Sequence, residues 1–558
     1  MENYSLPQGS LFLGLDCSTQ SLKATILDSN LVIVATEFVH FDSELPHYKT
    51  KDGVYRDPVI NGRIVSPTMM WVEALDLMLE KLSKKVDFAK IASISGSAQQ
   101  HGSVYWKIGS SMVLSSLDPG KRLKDQLSQS FPLEESPIWM DCSTTEQCRK
   151  IEEAVGGASE LYRLTGSRAH ERYVGPQVRK IYETRPEVYH NTERVSLISS
   201  FMGSLFIGAY ACIDETDGAG MNLMDIKKRE WSNLALNATA PSLEEKLGKL
   251  APAFAVSGII SPYFVERFNF NKNCLVIQWS GDNPNSLAGL ALNAGDLAIS
   301  LGTSDTVFGL IDDPEPCLES HVFPNPVDTN GYMVMLVYKN GSLTREDIRN
   351  CYAEESWEVF NNYLQQTPPL NEGKLGFYYK EHEILPPLPA GFHRYALENF
   401  RGESMDGVTV QEVQEFDAPF EVRALIEGQL LSMRAHAERV GMVIPPKRLI
   451  ATGGASSNEC ILNAIASVFG CDVHTVPRPD SASLGAALRA AHGWTCHETS
   501  SFVPVRFLYE DKLEKTSLSS KISVNAGNPA LSSKYAMLMR KRLEIEDHLV
   551  KQFGRVST

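Results

Sequence analysis

The sequence predicts an α/β protein built as two related halves, and three observations carry that prediction. The stretches 11–28, running from Leu11 through Asp16 to Asp28, and 296–312, running from Asp296 through Gly302 to Asp312, each read as apolar strand, small hydroxyl-rich turn and second strand. The chain of 558 residues is too long for one ordinary core. A third segment, Lys447 to Asn458, enters a glycine turn from a buried-looking strand and opens a helix. Small residues and hydroxyls at a tight hairpin let backbone N–H groups and side-chain oxygens converge on an anion such as a phosphate. Two such turns therefore suggest two halves gripping one polyphosphate.

In chain order, 11–40 reads as a β-meander: strands near 11–17, 21–28 and 31–38, with a turn at Asp28-Ser-Asn30. Met70, Ala74, Leu77, Met78 and Leu82 near helical spacing predict a helix over 68–86, and 91–95 returns as a strand. A long helix is expected to start near Asn285, before the strand-turn-strand pattern restarts at 296–312. Helical segments follow at 345–366 and 418–441. The segment from Pro477 to Ala487 reads as a strand-to-helix return that serves packing, and the Pro-rich pieces at 314–326 and 384–391 as surface loops. The tail from about 508 is polar and ends in a helix-like stretch, 534–553, expected to pack outside the core.

Composition narrows the function. With 43% hydrophobic and 22% charged residues the chain has the makeup of a soluble globular protein, and its net charge of -15 argues against nucleic acid or an anionic membrane as partner. The ten cysteines are scattered without a C-x-x-C pair, which fits reduced thiols in the cytoplasm. No basic leader is visible at the N-terminus, so a cytoplasmic location is expected. The apolar run 197–213 is short for a bilayer and interrupted by Ser199, Ser200, Gly203, Ser204 and Gly208, which predicts a buried helix.

The motifs are individually ordinary. Neither G-x-x-x-x-G-K-[ST] nor G-x-G-x-x-G occurs, so any nucleotide must be held by another geometry. Asp16, Ser18, Thr19 and Lys23 combine a strand-end carboxylate, hydroxyls and a cation, suited to Mg²⁺ and phosphoryl charge, yet the same residues would satisfy a plain hairpin. Gly302-Thr303-Ser304 is ordinary turn chemistry until it is paired with the first turn. Gly453-Gly454-Ala455 before Asn458 allows close backbone approach to a ligand at a helix start, or else a tight connection capped by Ser. Asp282, just before a helix of small residues, could take a proton from a hydroxyl that Asn283 orients, or simply cap the helix. Gln99, Gln100 and His101, at the end of a strand, suit hydroxyl recognition, though a lone His also serves a structural role. Trp139 to Asp141, and Arg168 to Arg172 with Gln177, read as polar groups on a ligand or as solvated loop.

The order of these segments is far more specific than any member. From Leu11 to about Gly493 the chain resembles the FGGY carbohydrate kinases of the sugar kinase, actin and Hsp70 ATPase superfamily, and within them the eukaryotic xylulose kinases. The likeness rests on Gly96-Ser-Ala-Gln-Gln-His-Gly102, Ile138-Trp-Met-Asp-Cys-Ser-Thr-Thr144, Asp214-Glu-Thr-Asp-Gly-Ala-Gly220, Ser280-Gly-Asp-Asn283 and Ala451-Thr-Gly-Gly-Ala-Ser-Ser-Asn458. The resemblance implies two RNase-H-like domains, 1–292 for sugar and 293–558 for nucleotide, with an interdomain cleft that closes over ATP and D-xylulose. It implies Asp282 as general base, His101, Arg172 and Asn283 on the sugar, and Asp16 organising Mg²⁺. Ser18, Thr19, Lys23, Gly302, Thr303 and Ser304 would line the triphosphate, and Gly453, Gly454, Ala455 and Asn458 the adenosine, with Trp357 beside the base. Many family members carry an Arg in the loop that is Asp141-Cys-Ser-Thr-Thr here, which leaves Asp141 without a carried-over role. The alternatives are a kinase for another ketose or polyol (ribulose, glycerol or 1-deoxyxylulose) and an actin- or Hsp70-like ATPase module.

Overall fold

A computed structural model describes residues 5–476 and 480–554. The principal elements are β1 (Leu11–Cys17), β2 (Ser21–Asp28), β3 (Ile33–His40), α1 (Thr68–Leu82), β4 (Ile91–Ala98), α2 (Ile198–Ile207), β5 (Val256–Ile259), β6 (Leu275–Ile277), β7 (Ser280–Gly281), α3 (Asp282–Gly289), β8 (Leu297–Leu301), β9 (Asp305–Ile311), α4 (Ser342–Tyr352), α5 (Trp357–Gln366), α6 (Ala418–Arg439), β10 (Leu449–Thr452), α7 (Glu459–Phe469), β11 (Val473–Thr475), α8 (Ser481–Glu498), β12 (Lys521–Val524) and α9 (Pro529–Phe553). They fall into two compact units. One holds Met1–Ala291, Val322–Met333 and Asp480–Ser519; the other holds Leu292–His321, Val334–Pro479 and Ser520–Thr558. The first unit thus takes in two segments, 322–333 and 480–519, that follow residue 292 in the chain.

In the first unit a seven-stranded sheet runs β5-β6-β4-β1-β2-β3, with β7 paired to β4. The almost continuous apolar run of β1 makes it a central strand buried on both faces, while the alternating exposure of β3 suits an edge. Side chains alternate across β1. Leu13, Leu15 and Cys17 join the core containing Met70 and Trp71 of α1. The opposite face meets α8: Phe12 lies edge-on to Trp494, and a Cβ at Gly14 would collide with the backbone of Ser483 and Ala487. The 197–213 run forms the buried helix α2, ended by Gly208 in the left-handed conformation. Among the described residues no helix is long and apolar enough to cross a membrane.

The second unit repeats the local plan. Its seven-stranded sheet contains the order β9-β8-β10-β11-β12, with β8 antiparallel to β9 and parallel to β10. In the first unit β1 is likewise antiparallel to β2 and parallel to β4. The two hairpins thus occupy equivalent places in their sheets.

Several expected elements differ. The helix expected from Asn285 is the eight-residue α3, which begins at Asp282. The 345–366 helix is two helices, parted by Glu354 and Glu355 at φ +52° and +56° and restarted by Ser356, whose hydroxyl accepts the Val359 N–H. The C-terminal helix lies within the second unit rather than outside its core: Tyr535, Leu538, Met539 and Leu549 are buried, and Glu546 on α9 bonds His436 on α6 at 2.7 Å and Arg542 at 2.6 Å. Pro477, where the strand-to-helix return was expected to begin, lies outside the described residues; the helical part is α8.

Candidate active site

Asp16 sits at the end of β1, buried, opposite Lys23 across β2 and Ser97 across β4. Burial raises its carboxyl above the ordinary value, against the lowering influence of Ser97 and Lys23. Its Oδ1 has no hydrogen-bond partner among the described residues. Lys23 is committed elsewhere, donating to Asp480 Oδ1 at 2.6 Å. The hydroxyls of the turn are also in use: Ser18 Oγ donates to Ser21 O at 2.9 Å, and Thr19 Oγ1 accepts the indole N–H of Trp139 at 2.9 Å.

Asp282 opens α3, and both of its near bonds fall on Oδ1, which accepts Asn283 N–H at 2.9 Å and Asn283 Nδ2 at 3.1 Å. Among the described residues no hydrogen bond falls on Oδ2. Burial, followed by the charges of Asp16 and Asp217, raises the Asp282 carboxyl to about 7. The structure thus brings the metal and base candidates into one electrostatic neighbourhood. Asn283 Nδ2 also donates to Gln100 Oε1 at 2.9 Å, fixing its amide, and Asn285 Nδ2 ties α3 to Gly281 O at 2.9 Å. From the other side α3 rests on α8 at Gly289 and Gly485, where an added Cβ would collide with backbone of the facing helix.

His101 is buried, held at φ +66°, stacked on Tyr173 with centroids 4.5 Å apart, and bonded through Nδ1 to Gly220 O at 3.1 Å. Burial and the neighbouring Arg172 charge hold it well below the usual histidine range, so it is neutral. Since a carbonyl only accepts, Nδ1 carries the proton and Nε2 is an acceptor. The Arg172 guanidinium lies 5.5 Å from the Tyr173 ring centroid, on the same aromatic. Asp141 is no solvated loop group. It is buried, and accepts Ile64 N–H at 3.0 Å, Ser143 N–H at 3.0 Å and Gln177 Nε2 at 2.8 Å, which makes it and Gln177 the knot of their loop.

In the second unit, Thr303 and Ser304 stand exposed at the β8–β9 turn. β8 pairs with β10, so the Gly453 turn that follows β10 adjoins it; a Cβ at Gly453, φ +82°, would collide with Leu301 O. Gly454 has open space around it. Asn458, not a serine, caps α7 by accepting Cys460 N–H at 3.0 Å and Ile461 N–H at 3.3 Å, and it donates to Asn361 Oδ1 at 2.9 Å. Asn361 lies one turn along α5 from Trp357, so that bond brings the α5 start toward the glycine turn. Trp357 is 38% exposed, with the Arg349 guanidinium 4.8 Å from its ring centroid.

The sequence marks Gln99 and Gln100 with His101 as suited to hydroxyl recognition and gives Asp217 no separate role. Gln99 Nε2 is buried without a hydrogen-bond partner among the described residues, the signature of a polar group left for a ligand or water. Burial raises the Asp217 carboxyl to about 7, against the lowering influence of Gln100, which stands beside it. The Gln pair at the end of β4 and the Asp214 to Gly220 motif were the available signals. Among the described residues no three His, Cys, Asp or Glu side chains gather around a metal position. The orphaned oxygen of Asp16 nonetheless fits Mg²⁺, which takes one or two protein carboxylates and completes its shell with water and phosphate.

Two sheets of one local plan, each with a strand-end hairpin at the equivalent place, are the architecture of the actin-like ATPase type. Residues 125–289 match the N-terminal domain, and 297–494 the C-terminal domain, of the FGGY family of carbohydrate kinases. The chain belongs to that family. It is 68% identical to xylulose kinase 2 of Arabidopsis thaliana over 99% of this chain and 100% of the relative, and 45% identical to the xylulose kinase of Rattus norvegicus over 97% of each. A ligand-bound xylulose kinase from Lactobacillus acidophilus has the same fold, with a TM-score of 0.77 at 20% identity over 98% of this chain and 100% of that one.

Proposed function

We propose that this chain transfers the γ-phosphoryl group of ATP to the terminal hydroxyl of D-xylulose, giving ADP and D-xylulose 5-phosphate. The observation that supports it most is Asp282: a carboxylate whose hydrogen bonds among the described residues fall on one oxygen, opening a helix seated on a glycine contact, raised to about 7. A base with that value is ionised enough to accept a proton near neutral pH and basic enough to hold it. Asp282 Oδ2 takes the hydroxyl proton as the sugar oxygen bonds to the γ-phosphorus and ADP departs. Asn283, its amide fixed by Gln100, aligns the nucleophile, while His101 Nε2 accepts from a sugar hydroxyl and Arg172 donates to a sugar oxygen. Positioning of this kind supplies most of the catalysis in phosphoryl transfer.

Asp16 would hold Mg²⁺, which when bound neutralises charge on the phosphates. Ser18, Thr19, Thr303 and Ser304 supply hydroxyls and amides to the triphosphate, and Gly302, its own N–H given to Asp305, shapes the second turn. Lys23 would do so only on exchanging its Asp480 partner for phosphate. Gly453, Gly454, Ala455 and Asn458 seat the adenosine beside Trp357. The ten free thiols suit a reducing compartment, and the cytoplasm is the location proposed.

The test is ADP release with D-xylulose, D-ribulose, glycerol and 1-deoxyxylulose in a coupled assay. D-Xylulose should give the highest kcat/KM; a larger value for another acceptor, or ATP hydrolysis equally fast without sugar, would overturn the assignment.

A further inference from the structure

Behind the exposed Thr303 and Ser304 lie two buried charges outside the catalytic set. Asp305, the first residue of β9, is fully buried, and Arg345 on the first helical turns of α4 is 2% exposed. Their contact is a fork: Arg345 Nη1 to Asp305 Oδ2 at 2.6 Å and Nη2 to Oδ1 at 2.9 Å. The same groups take up the backbone of the turn. Asp305 Oδ1 accepts the Gly302 N–H at 3.1 Å, while Gly302 O accepts the Ser342 N–H at 2.8 Å and faces Arg345 Nη2 at 3.5 Å. Gln429 on α6 braces the fork, its Oε1 3.0 Å from Arg345 Nη1 and its Nε2 donating to Asn340 O at 2.8 Å. A Cβ at Gly341 would lie 2.6 Å from Gly302 O, 2.7 Å from Thr303 O and 2.8 Å from Asp305 Oδ1, so the loop before α4 sits flush against the turn.

Both backbone groups of Gly302 are therefore spent inward, and Thr303 and Ser304 are turned outward. Stability alone is a poor reason for such a pair, because well-packed apolar residues of the same volume often serve a core as well. A planar guanidinium gripping both carboxylate oxygens adds fixed geometry instead.

We propose that Arg345 and Asp305 are positioning residues that hold the Gly302 to Ser304 turn in the conformation that receives the triphosphate of ATP. The proposal rests on the reading of this chain as an ATP-dependent kinase. The pair touches no reacting atom and acts through the turn, so its removal should weaken ATP binding while leaving the sugar site alone.

Two variants test it. Arg345→Lys keeps the charge and loses the fork; the double variant Asp305→Asn with Arg345→Gln removes both charges, so that neither is left buried and unpaired. ATP affinity is measured by calorimetry on sugar-free protein, beside ketose KM and the melting temperature. ATP Kd should rise by about tenfold or more in both variants, the Lys form the milder, with ketose KM unchanged. Wild-type ATP affinity in folded Arg345→Lys overturns the proposal, and a lowered melting temperature with wild-type ATP affinity does the same by assigning the pair to stability. Arg345→Lys decides alone should the double variant not fold. Because the titration contains no sugar, a wild-type protein that binds ATP but releases no ADP with D-xylulose refutes the proposed reaction without touching this result.

Discussion

Asp282 links stability and catalysis through one proton. Its folded carboxyl, at about 7, lies above the ordinary value of 3.8, so the native state keeps a proton that the unfolded chain releases. Stability therefore falls as pH rises from about 4 to about 7, and above that range the ionised carboxylate is a standing cost. Asp282→Asn should lower kcat by about 10²–10⁴-fold, the usual contribution of a general base, while ATP still binds. The same variant should be more stable than wild type at pH 8 by roughly 1–2 kcal/mol and not at pH 4, read from melting curves at both values. In the wild-type enzyme kcat/KM should climb with pH toward a plateau above about 7. His101→Ala removes the Nε2 acceptor and should raise ketose KM at least about tenfold with ATP KM little changed; an effect confined to ATP would refute the sugar assignment. At this scale the sequence was informative about residue types and mute about commitments. Nothing in the pattern around Lys23 points to Asp480, because that contact joins residues 457 positions apart.

Helix α3 carries the base, and its seat is made of absent side chains. Where α3 crosses α8, Gly289 and Gly485 let the two backbones meet. An alanine normally favours a helix over glycine by up to about 1 kcal/mol. Here the new methyl has only backbone to push against, so Gly485→Ala should destabilise by about 1–3 kcal/mol and lower kcat, measured by denaturant unfolding and steady-state kinetics. A stabilised, fully active variant would show that the helices can part freely. Strand periodicity and turn chemistry made β1, β2, β8 and β9 legible, since each is a local pattern of apolar residues closed by small ones. The extent of α3 was not, because small residues run on past its end at Gly289. Asp305 shows the same limit: it marks a strand start in sequence, and only the fold reveals that its carboxylate belongs to Arg345.

Across the whole chain, the division into halves follows from the repeated hairpin, yet the first unit is completed by residues from the far end. α8 covers one face of the central strand β1, Thr25 Oγ1 lies 2.7 Å from Ser483 Oγ, and Ser93 Oγ donates to Ala490 O at 2.8 Å. A fragment ending at residue 291 therefore lacks a wall of its own core. Expressed alone, it should be aggregated or molten by near-ultraviolet circular dichroism, and joining 480–519 to it should restore fixed tertiary structure. A well-packed isolated fragment would refute that account. The composition of 480–487 suggested packing without saying against what, since a helix of small residues suits any close neighbour.

The indole of Trp139 offers an optical consequence. It is 44% exposed and its N–H is bonded to the Thr19 hydroxyl, in the turn proposed to meet phosphate. When that hydroxyl turns to a nucleotide, the excited-state environment of Trp139 changes, so the emission of the native protein should shift on titration with ATP. Trp139→Phe, which leaves six other tryptophans, should remove the part of the signal that persists in Trp357→Phe, the indole proposed to lie beside the adenosine. The chain would then report its own nucleotide occupancy without a dye, in the time of a stopped-flow shot.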